Sequence, residues 1–302
     1  MSRVIVRLTG GLGNQMFQYA AGLAHAKRTG ADLVLDLSRC GLTPDRPFHL
    51  RGFRVDEPEA QAAEIQALEG GNARWRRRVV QHAPWAHGLV ARGRYQQPDF
   101  RFDASLAQFK PPLLMTGDFQ SEQFFAHERQ AVLDRFRLGR PLPDRAQGFS
   151  QQITSAPAPV AVHVRRGDYL TNTAAHSLHG VCPVDYYREA VEVMRAKIGT
   201  ELSFFVFSDE PEWVRATFNF LAPMEVIDGH AETPWLDIHL MSLCRGIITA
   251  NSSFSWWGGW LGEHPQKVVV CPAKWVRHDN GGKLDTADLQ PKSWIKIQNE
   301  LV

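Results

Sequence analysis

The chain is poor in cysteine: Cys40, Cys182, Cys244 and Cys271 are its four, scattered widely among 302 residues. Neither the paired spacings of a zinc site nor the density of a disulfide framework is present, and the usage fits a reducing compartment. Long apolar runs are missing too. None approaches the roughly 20 residues of a membrane span, and the amino-terminal stretch lacks the basic-then-apolar layout of a secretory signal, so a cytoplasmic location is expected. The sequon Asn251-Ser252-Ser253 is then read as coincidence. No Asp-x-Asp pair occurs, and His176 with His179, or His82 with His87, lack the companion ligands of a zinc helix, so no metal is expected. A Gly-x-x-x-x-Gly-Lys-Ser/Thr loop and a Gly-x-Ser-x-Gly elbow are both absent, which argues against a P-loop phosphotransferase and a serine hydrolase. A net charge of only +2 gives no support to a nucleic-acid partner.

What charge there is lies unevenly. From Asn72 to Gln97 arginines stand at 74, 76, 77, 78, 92 and 94 with no acid among them. The Arg74 to Arg94 stretch reads either as a solvated face or, interleaved with Trp75 and Trp85, as a peripheral contact with the anionic inner face of a membrane. The length suits two domains, each with its own core. Arg140-Pro141-Leu142-Pro143-Asp144 and Ser155-Ala156-Pro157-Ala158-Pro159 flank a short polar segment, which places the boundary near 150 and gives domains 1–150 and 151–302.

Ser2 to Leu8 reads as a strand. The turn Thr9-Gly10-Gly11-Leu12-Gly13-Asn14-Gln15 and an apolar helix through Ala26 follow, and Ala31 to Asp36 supplies the next strand. Such a βαβ opening implies a parallel sheet, and exposed amides at the helix start suit an anion. Asn14 and Gln15 either bind a neutral polar ligand such as a sugar or cap the helix. Between Leu42 and Lys110 prolines break the pattern, with a short amphipathic helix within Glu57 to Glu69. Pro112 to Met115 forms a strand, and a helix is expected from near Ser121. Asp118, Gln120 and Glu122 therefore sit where a strand ends, the usual place for sites in open α/β sheets.

In the second half Val160 to Val164 is a buried strand that delivers His163, Arg165, Arg166, Gly167 and Asp168 to the rim of a sheet. Two arginines there suit a phosphate, because each guanidinium fork meets two oxygens at once; the alternative is a solvated turn with an arginine bonded to Asp168. Ser203 to Phe207 is a second apolar strand, and Asp209 and Glu210 at its end either cap the next helix or bond a ligand ribose or base. Gly246 to Ala250 is a third, and Asn251, Ser252, Ser253 and Ser255 lead into an apolar helix. Hydroxyls and amides at that helix start, set beside the arginine strand, would clamp a diphosphate.

Four ordered motifs carry a resemblance that runs from the first strand to about residue 261: Gly10 to Ala20, His163-Val164-Arg165-Arg166-Gly167-Asp168-Tyr169, Phe207-Ser208-Asp209-Glu210, and Asn251 to Trp257. Together they resemble the α-1,2-fucosyltransferases, the inverting glycosyltransferases of family 11 type. The resemblance implies an α/β fold of two Rossmann-like domains of the GT-B type with a site in the cleft between them. It implies GDP-β-L-fucose as a donor substrate rather than a cofactor, a galactose-terminated oligosaccharide as acceptor, and no metal. By the same resemblance Arg165 binds the β-phosphate and assists departure of GDP, and Asn14 sits at the fucose, near Gly11 and Gly13 of the turn. His163, Arg166, Asp168 and Asp209 contact or order the nucleotide; Ser252, Ser253 and Phe254 line the phosphate site, and Asp237 holds guanine. Asp118, Gln120 and Glu122 remain acceptor-side or general-base candidates, and Asp209 is a further candidate base by its place at a strand end. Two departures stand out: Glu210 replaces the usual second aspartate of its motif, which bears on nucleotide fit, and Phe119 stands where tryptophan is common, which bears on acceptor preference. A nucleotide-sugar-binding module without catalysis, and an α-1,6 or protein O-fucosyltransferase, share parts of the pattern.

Overall fold

A computed structural model of the protein describes residues 2–42, 46–70, 93–171, 173–228, 230–277 and 284–302, without the side chains of 70, 168, 171 and 174–176. The expected basic patch lies outside the described residues except for Gly93 and Arg94. The chain divides into two units, Met1–Arg137 with Ala287–Leu289, and Leu138–Thr286 with Gln290–Val302.

In the first unit, β1 (Arg3–Arg7) buries the run Val4-Ile5-Val6. The chain then turns at Gly10 into helix α1 (Leu12–Thr29) and returns as β2 (Asp32–Asp36), paired parallel to β1 with Ile5 opposite Val34. Gly30 ends α1 at φ 64, where its N–H reaches Ala26 and Lys27 carbonyls, the left-handed cap that glycine adopts without a Cβ penalty. After α2 (Ala62–Gly70) come β3 (Gly93–Gln96) and β4 (Leu113–Thr116), and the all-parallel sheet has the order β2-β1-β4-β3. The sequence pattern did not anticipate β3. The helix expected from Ser121 is instead a 3-10 turn, Glu122–Phe124, followed by a second one, Ala126–Glu128, and then α3 (Arg129–Arg135).

The second unit starts earlier than the proline clusters suggest. Residues 144–155 form a true helix, α4 (Asp144–Ser155), which buries Ala146, Phe149 and Ile153 and packs within the second unit, so the division falls at Arg137 and Leu138 rather than near 150. Pro143 initiates this helix rather than marking a linker, in keeping with its fixed φ and missing N–H. All six residues of β5 (Pro159–Val164) are buried. Then come α5 (Gly167–Thr171), α6 (Thr173–His179), α7 (Val184–Ile198), β6 (Ser203–Ser208), α8 (Pro211–Thr217), β7 (Met224–Ile227), α9 (Trp235–Leu243), β8 (Gly246–Ile248), α10 (Ser253–Leu261), β9 (Val268–Pro272) and β10 (Ile295–Ile297). The sheet is parallel throughout, in the order β10-β9-β8-β5-β6-β7. Val160, Val162, Phe204, Val206, Tyr186, Tyr187 and Met194 build the core on one face. Burial on both faces explains why these strands read as continuous apolar runs. No helix among the described residues is long and apolar enough to cross a membrane.

Strand order decides where a ligand fits. In the second sheet the chain runs outward from β5 through β6 to β7, then crosses back to β8 on the other side of β5. The carboxyl ends of β5 and β8 thus flank the topological switch point, where open parallel sheets leave a crevice. In the first sheet the corresponding neighbours are β1 and β4.

Candidate functional site

At the end of β5 each arginine has an acid opposite it from the end of β6. Arg165 Nη1 lies 3.1 Å from Asp209 Oδ2, and Arg166 Nε donates to Glu210 Oε2 at 3.2 Å. Asp209 Oδ1 also accepts from the backbone N–H of Arg166 at 3.0 Å. The Arg166 guanidinium lies 3.6 Å from the ring centre of Trp213, a cation–π contact. Helix α8 has no side-chain cap, so the acids do not serve the capping role open to them on sequence grounds. The Asp168 backbone lies in α5, and its side chain is outside the described residues.

His163, the penultimate residue of the same strand, is buried, and its ring lies 5.5 Å from that of Phe254. Burial first, and the neighbouring Arg165 second, push its pKa down to about 3, so the imidazole is neutral at physiological pH. Its buried Nδ1 has no hydrogen-bond partner among the described residues. That ring contact joins the end of β5 to the end of β8, as does the hydroxyl of Tyr169, which donates to the Asn251 carbonyl at 3.3 Å. The arginine rim and the Ser252 to Phe254 helix start are therefore neighbours.

Members of the hydroxyl cluster have separate tasks. The Asn251 amide ties three backbone carbonyls, those of His179, Gly180 and Trp275, at 3.0 to 3.2 Å. Ser252 is the N-cap of α10 and accepts from the Phe254 N–H at 3.3 Å, while Ser255 bonds back to the Ser252 carbonyl. Half-buried Ser253 is the first residue of the helix. Asp237, on α9, is joined through Oδ1 to Nδ1 of buried His230 at 2.6 Å. Burial raises the pKa of this carboxyl and the histidine opposes the shift. Helices α9 and α10 pack together, so Asp237 belongs to the same unit and the same layer as the serine cluster.

The first unit has its own constellation at the ends of β1 and β4. Gly11 precedes α1 with no side-chain cap bond, and Gly13 is buried in its first turn, so Asn14 and Gln15 are not caps. Buried Gln15 pins the surrounding loop instead, donating to the Gly10 and Pro47 carbonyls and accepting from the His49 N–H. Gln120 Nε2 donates to Asn14 Oδ1 at 3.0 Å, which unites the amide of the first motif with the turn after β4. Gly10, at φ 73, is essential to this packing because a Cβ there would stand 2.6 Å from Asn14 Nδ2.

The turn after β4 is strained. Phe119 adopts φ 53, rare for a bulky residue, and is held there by Gln97, whose Oε1 accepts from both Asp118 and Phe119 N–H groups at 2.9 and 2.8 Å. The Phe119 ring is fully buried against Tyr95 and Phe124, so this departure from the family pattern is a matter of core packing in the first unit. Asp118 is exposed at the tip of the turn, yet surrounding protein desolvates its carboxyl enough to raise the pKa. Glu122 is half-buried in the 3-10 turn that Ser121 caps. Among the described residues no group of three or more His, Cys, Asp and Glu is placed to hold a metal ion.

Sequence reasoning passed over Gln97, His230 and Trp213. Gln97 follows a strand too short to announce itself, and His230 and Trp213 matter only through partners that folding brings to them.

Comparison with known proteins gives this geometry a context. The sequence profile of glycosyl transferase family 11 matches residues 117–298. An alpha-1,2-colitosyltransferase of Escherichia coli is 30% identical over 303 residues, 99% of this chain and 100% of that protein. The O-antigen biosynthesis glycosyltransferase WbnK, also of Escherichia coli, is 32% identical over 307 residues, 96% of this chain and 99% of the relative. The galactoside alpha-(1,2)-fucosyltransferase 1 of Alouatta caraya is 29% identical over 273 residues, 83% of this chain and 63% of that protein. Among solved structures, a variant of FUT1 from Arabidopsis thaliana in complex with GDP superposes with a TM-score of 0.54 at 13% identity, covering 97% of this chain and 76% of that one. The shared fold is the α/β, parallel-sheet GT-B type expected from the sequence.

Proposed function

The chain belongs to glycosyl transferase family 11, and from that premise we propose that it transfers L-fucose from GDP-β-L-fucose to the 2-hydroxyl of a terminal β-galactoside, with inversion to an α-1,2 linkage. The observation that carries the donor half is the juxtaposition of Arg165, at the end of β5, with the Ser252 to Phe254 helix start at the end of β8. Inverting transfer brings the acceptor hydroxyl to the anomeric carbon as GDP leaves, so the barrier falls through positioning and through stabilisation of the departing diphosphate. In this reading Arg165 and the amides of α10 take the developing phosphate charge without a metal, and neutral His163 shapes the pocket floor. Asp237 receives the guanine edge. Asn14, oriented by Gln120, bonds the sugar, and Asp118 accepts the proton of the acceptor hydroxyl.

The relatives named for colitosyl transfer and for O-antigen biosynthesis support a surface polysaccharide as acceptor, and a second donor deserves a direct trial: colitose is the 3-deoxy counterpart of fucose. The test is GDP release from GDP-fucose and from GDP-colitose, with and without lactose, in the presence of a chelator, followed by linkage analysis of the product. Acceptor-dependent release with an α-1,2 product is expected. Binding without release, or an α-1,6 product, overturns the assignment. We also propose that the Arg74 to Arg94 patch rests on anionic membrane. Cosedimentation with phosphatidylserine vesicles at low salt, weakened by added salt, is the expected result; no binding at low salt removes the idea.

A further inference from the structure

Resting on the reading of Asp237 as the acid that receives guanine, we propose that buried His230 is its positioning residue, and that the pair, not the acid alone, makes the chain prefer guanine to adenine. Asp237 lies in the first turn of α9 with its side chain 22% exposed and so open to a ligand, while that of His230 is 5% exposed. The two meet at 2.6 Å through His230 Nδ1 and Asp237 Oδ1. The loop between them is fixed by its own backbone: the Thr233 N–H donates to the His230 carbonyl and the Leu236 N–H to the Thr233 carbonyl, both at 2.9 Å. Helix α4 supports the histidine. Phe149 meets the imidazole edge-on, with ring centres 6.2 Å apart, and the Arg145 guanidinium lies 5.7 Å from the centre of the Phe149 ring. Arg145 and Arg215 both pair with Asp228, and among the described residues His230 is the group that bonds the Asp237 side chain.

The choice of partner matters chemically. A guanidinium fork would cover both oxygens of Asp237, whereas one ring nitrogen takes Oδ1 and leaves Oδ2 uncovered. Against an ionised carboxylate Nδ1 carries the proton and donates. That bond fixes rotation about Cβ–Cγ, and it opposes the burial that raises the carboxyl's pKa, which keeps the accepting form. Guanine offers two donors on one edge, N1–H and the 2-amino group, where adenine offers an acceptor at N1. A carboxylate only accepts, so a held Asp237 welcomes the first base and repels the second. An acid in the first turn of a helix also meets the helix dipole, with the histidine then a mere loop tie. Such a tie is indifferent to the base, and that difference can be measured. His230 thus acts on the ligand through Asp237.

The experiment titrates the whole chain calorimetrically with GDP and with ADP, which differ only in the base. The wild type is expected to bind GDP the more tightly. His230→Ala should lower GDP affinity about tenfold, the scale of one charge-assisted hydrogen bond, and leave the weaker ADP affinity unchanged. His230→Asn, whose amide nitrogen can stand where Nδ1 stands, should restore most of the preference. His230→Phe keeps a ring without the donor, should lose the preference as the alanine variant does, and serves if that variant fails to fold. Added to Asp237→Ala, the loss of His230 should cost GDP nothing more, because the two act as one unit. Equal losses for GDP and ADP, or a His230→Phe chain as selective as His230→Asn, overturn this proposal alone. A wild-type chain that binds ADP as well as GDP, or an Asp237→Ala chain that keeps the wild-type preference, overturns the guanine reading of Asp237 and this proposal with it.

Discussion

Gln120 donates its side-chain amide to Oδ1 of Asn14, 3.0 Å away and 106 residues distant along the chain. With its oxygen engaged, the Asn14 amide is constrained in how it presents its nitrogen, so in the proposed reading Gln120 helps set how Asn14 would meet a sugar. Gln120→Ala is expected to lower kcat/KM about fivefold, the equivalent of one hydrogen bond of roughly 1 kcal/mol. Asn14→Ala should cost more, and the double variant no more than Asn14→Ala by itself. Steady-state kinetics of the four proteins decides the matter; full additivity would mean that Gln120 has a separate role.

The adjacent arginines should respond in opposite ways to truncation. Arg165→Ala is expected to lose about 3 kcal/mol of transition-state stabilisation, or more than a hundredfold in kcat, by analogy with removal of other anion-stabilising donors. Arg165 is a third exposed, so its melting temperature should change little. Arg166→Ala strips the stack on Trp213 and the pair with Glu210 and should lower the melting temperature more than Arg165→Ala does. Thermal melts beside single-turnover rates test the contrast, and a folded Arg165→Ala enzyme with near-normal turnover would end the assignment.

Much of the second unit can be read directly from its residues because its strands are buried on both faces. Val160 to Val164 and Ser203 to Phe207 carry no polar alternation to confuse the period, and the charges at their ends mark the rim. The four motifs fall at strand ends as expected, and the serine-led helix begins with Ser252 as its cap. Short and locally ambiguous segments were hidden. Gly93–Gln96 and Ile295–Ile297 are too brief for a periodic signal, and each becomes a strand because a neighbouring parallel edge is available to it. The partners of polar groups were hidden for another reason: Asp209 meets the Arg166 N–H 43 residues away, and no local rule distinguishes that from a cap. The strain at Phe119 belongs to the same class, since it depends on Gln97 being held behind the turn.

Buried His163 makes the second unit sensitive to acid. Its pKa is about 3 in the folded chain against about 6.5 when unfolded, so between those values the unfolded state binds more protons. Stability must therefore fall as pH drops through that window and is fully recovered above it. His25 in the first unit, lowered to about 4 by burial and by Arg28, has the same sign. Replacing His163 by Gln should flatten the dependence by about 1.4 kcal/mol per pH unit between pH 6 and 4. Denaturant unfolding of both proteins at several pH values measures the slope, and an unchanged slope would show that the imidazole is not held neutral.

As the proposed general base, Asp118 would set function against stability. Desolvation raises its folded-state pKa above the ordinary carboxylate value, so the folded chain holds the proton more tightly than the unfolded one. The sign is the reverse of that for His163: ionisation of Asp118 opposes folding, and stability falls as pH rises through the unfolded and then the folded pKa. A carboxylate kept at such a disadvantage, on a turn strained at Phe119, is what a general base requires, since the raised pKa gives it greater proton affinity once ionised. Asp118→Asn should accordingly melt no lower than the wild type at neutral pH and yet lose at least about a hundredfold in kcat, the usual span of general-base catalysis. Wild-type kcat should also decline as pH falls through the raised Asp118 value, an acid limb that the Asn variant lacks. If the variant retains both its rate and that limb, the proton is taken by another group, and Glu122, two residues beyond the Gln120 that orients Asn14, is the next carboxylate to replace.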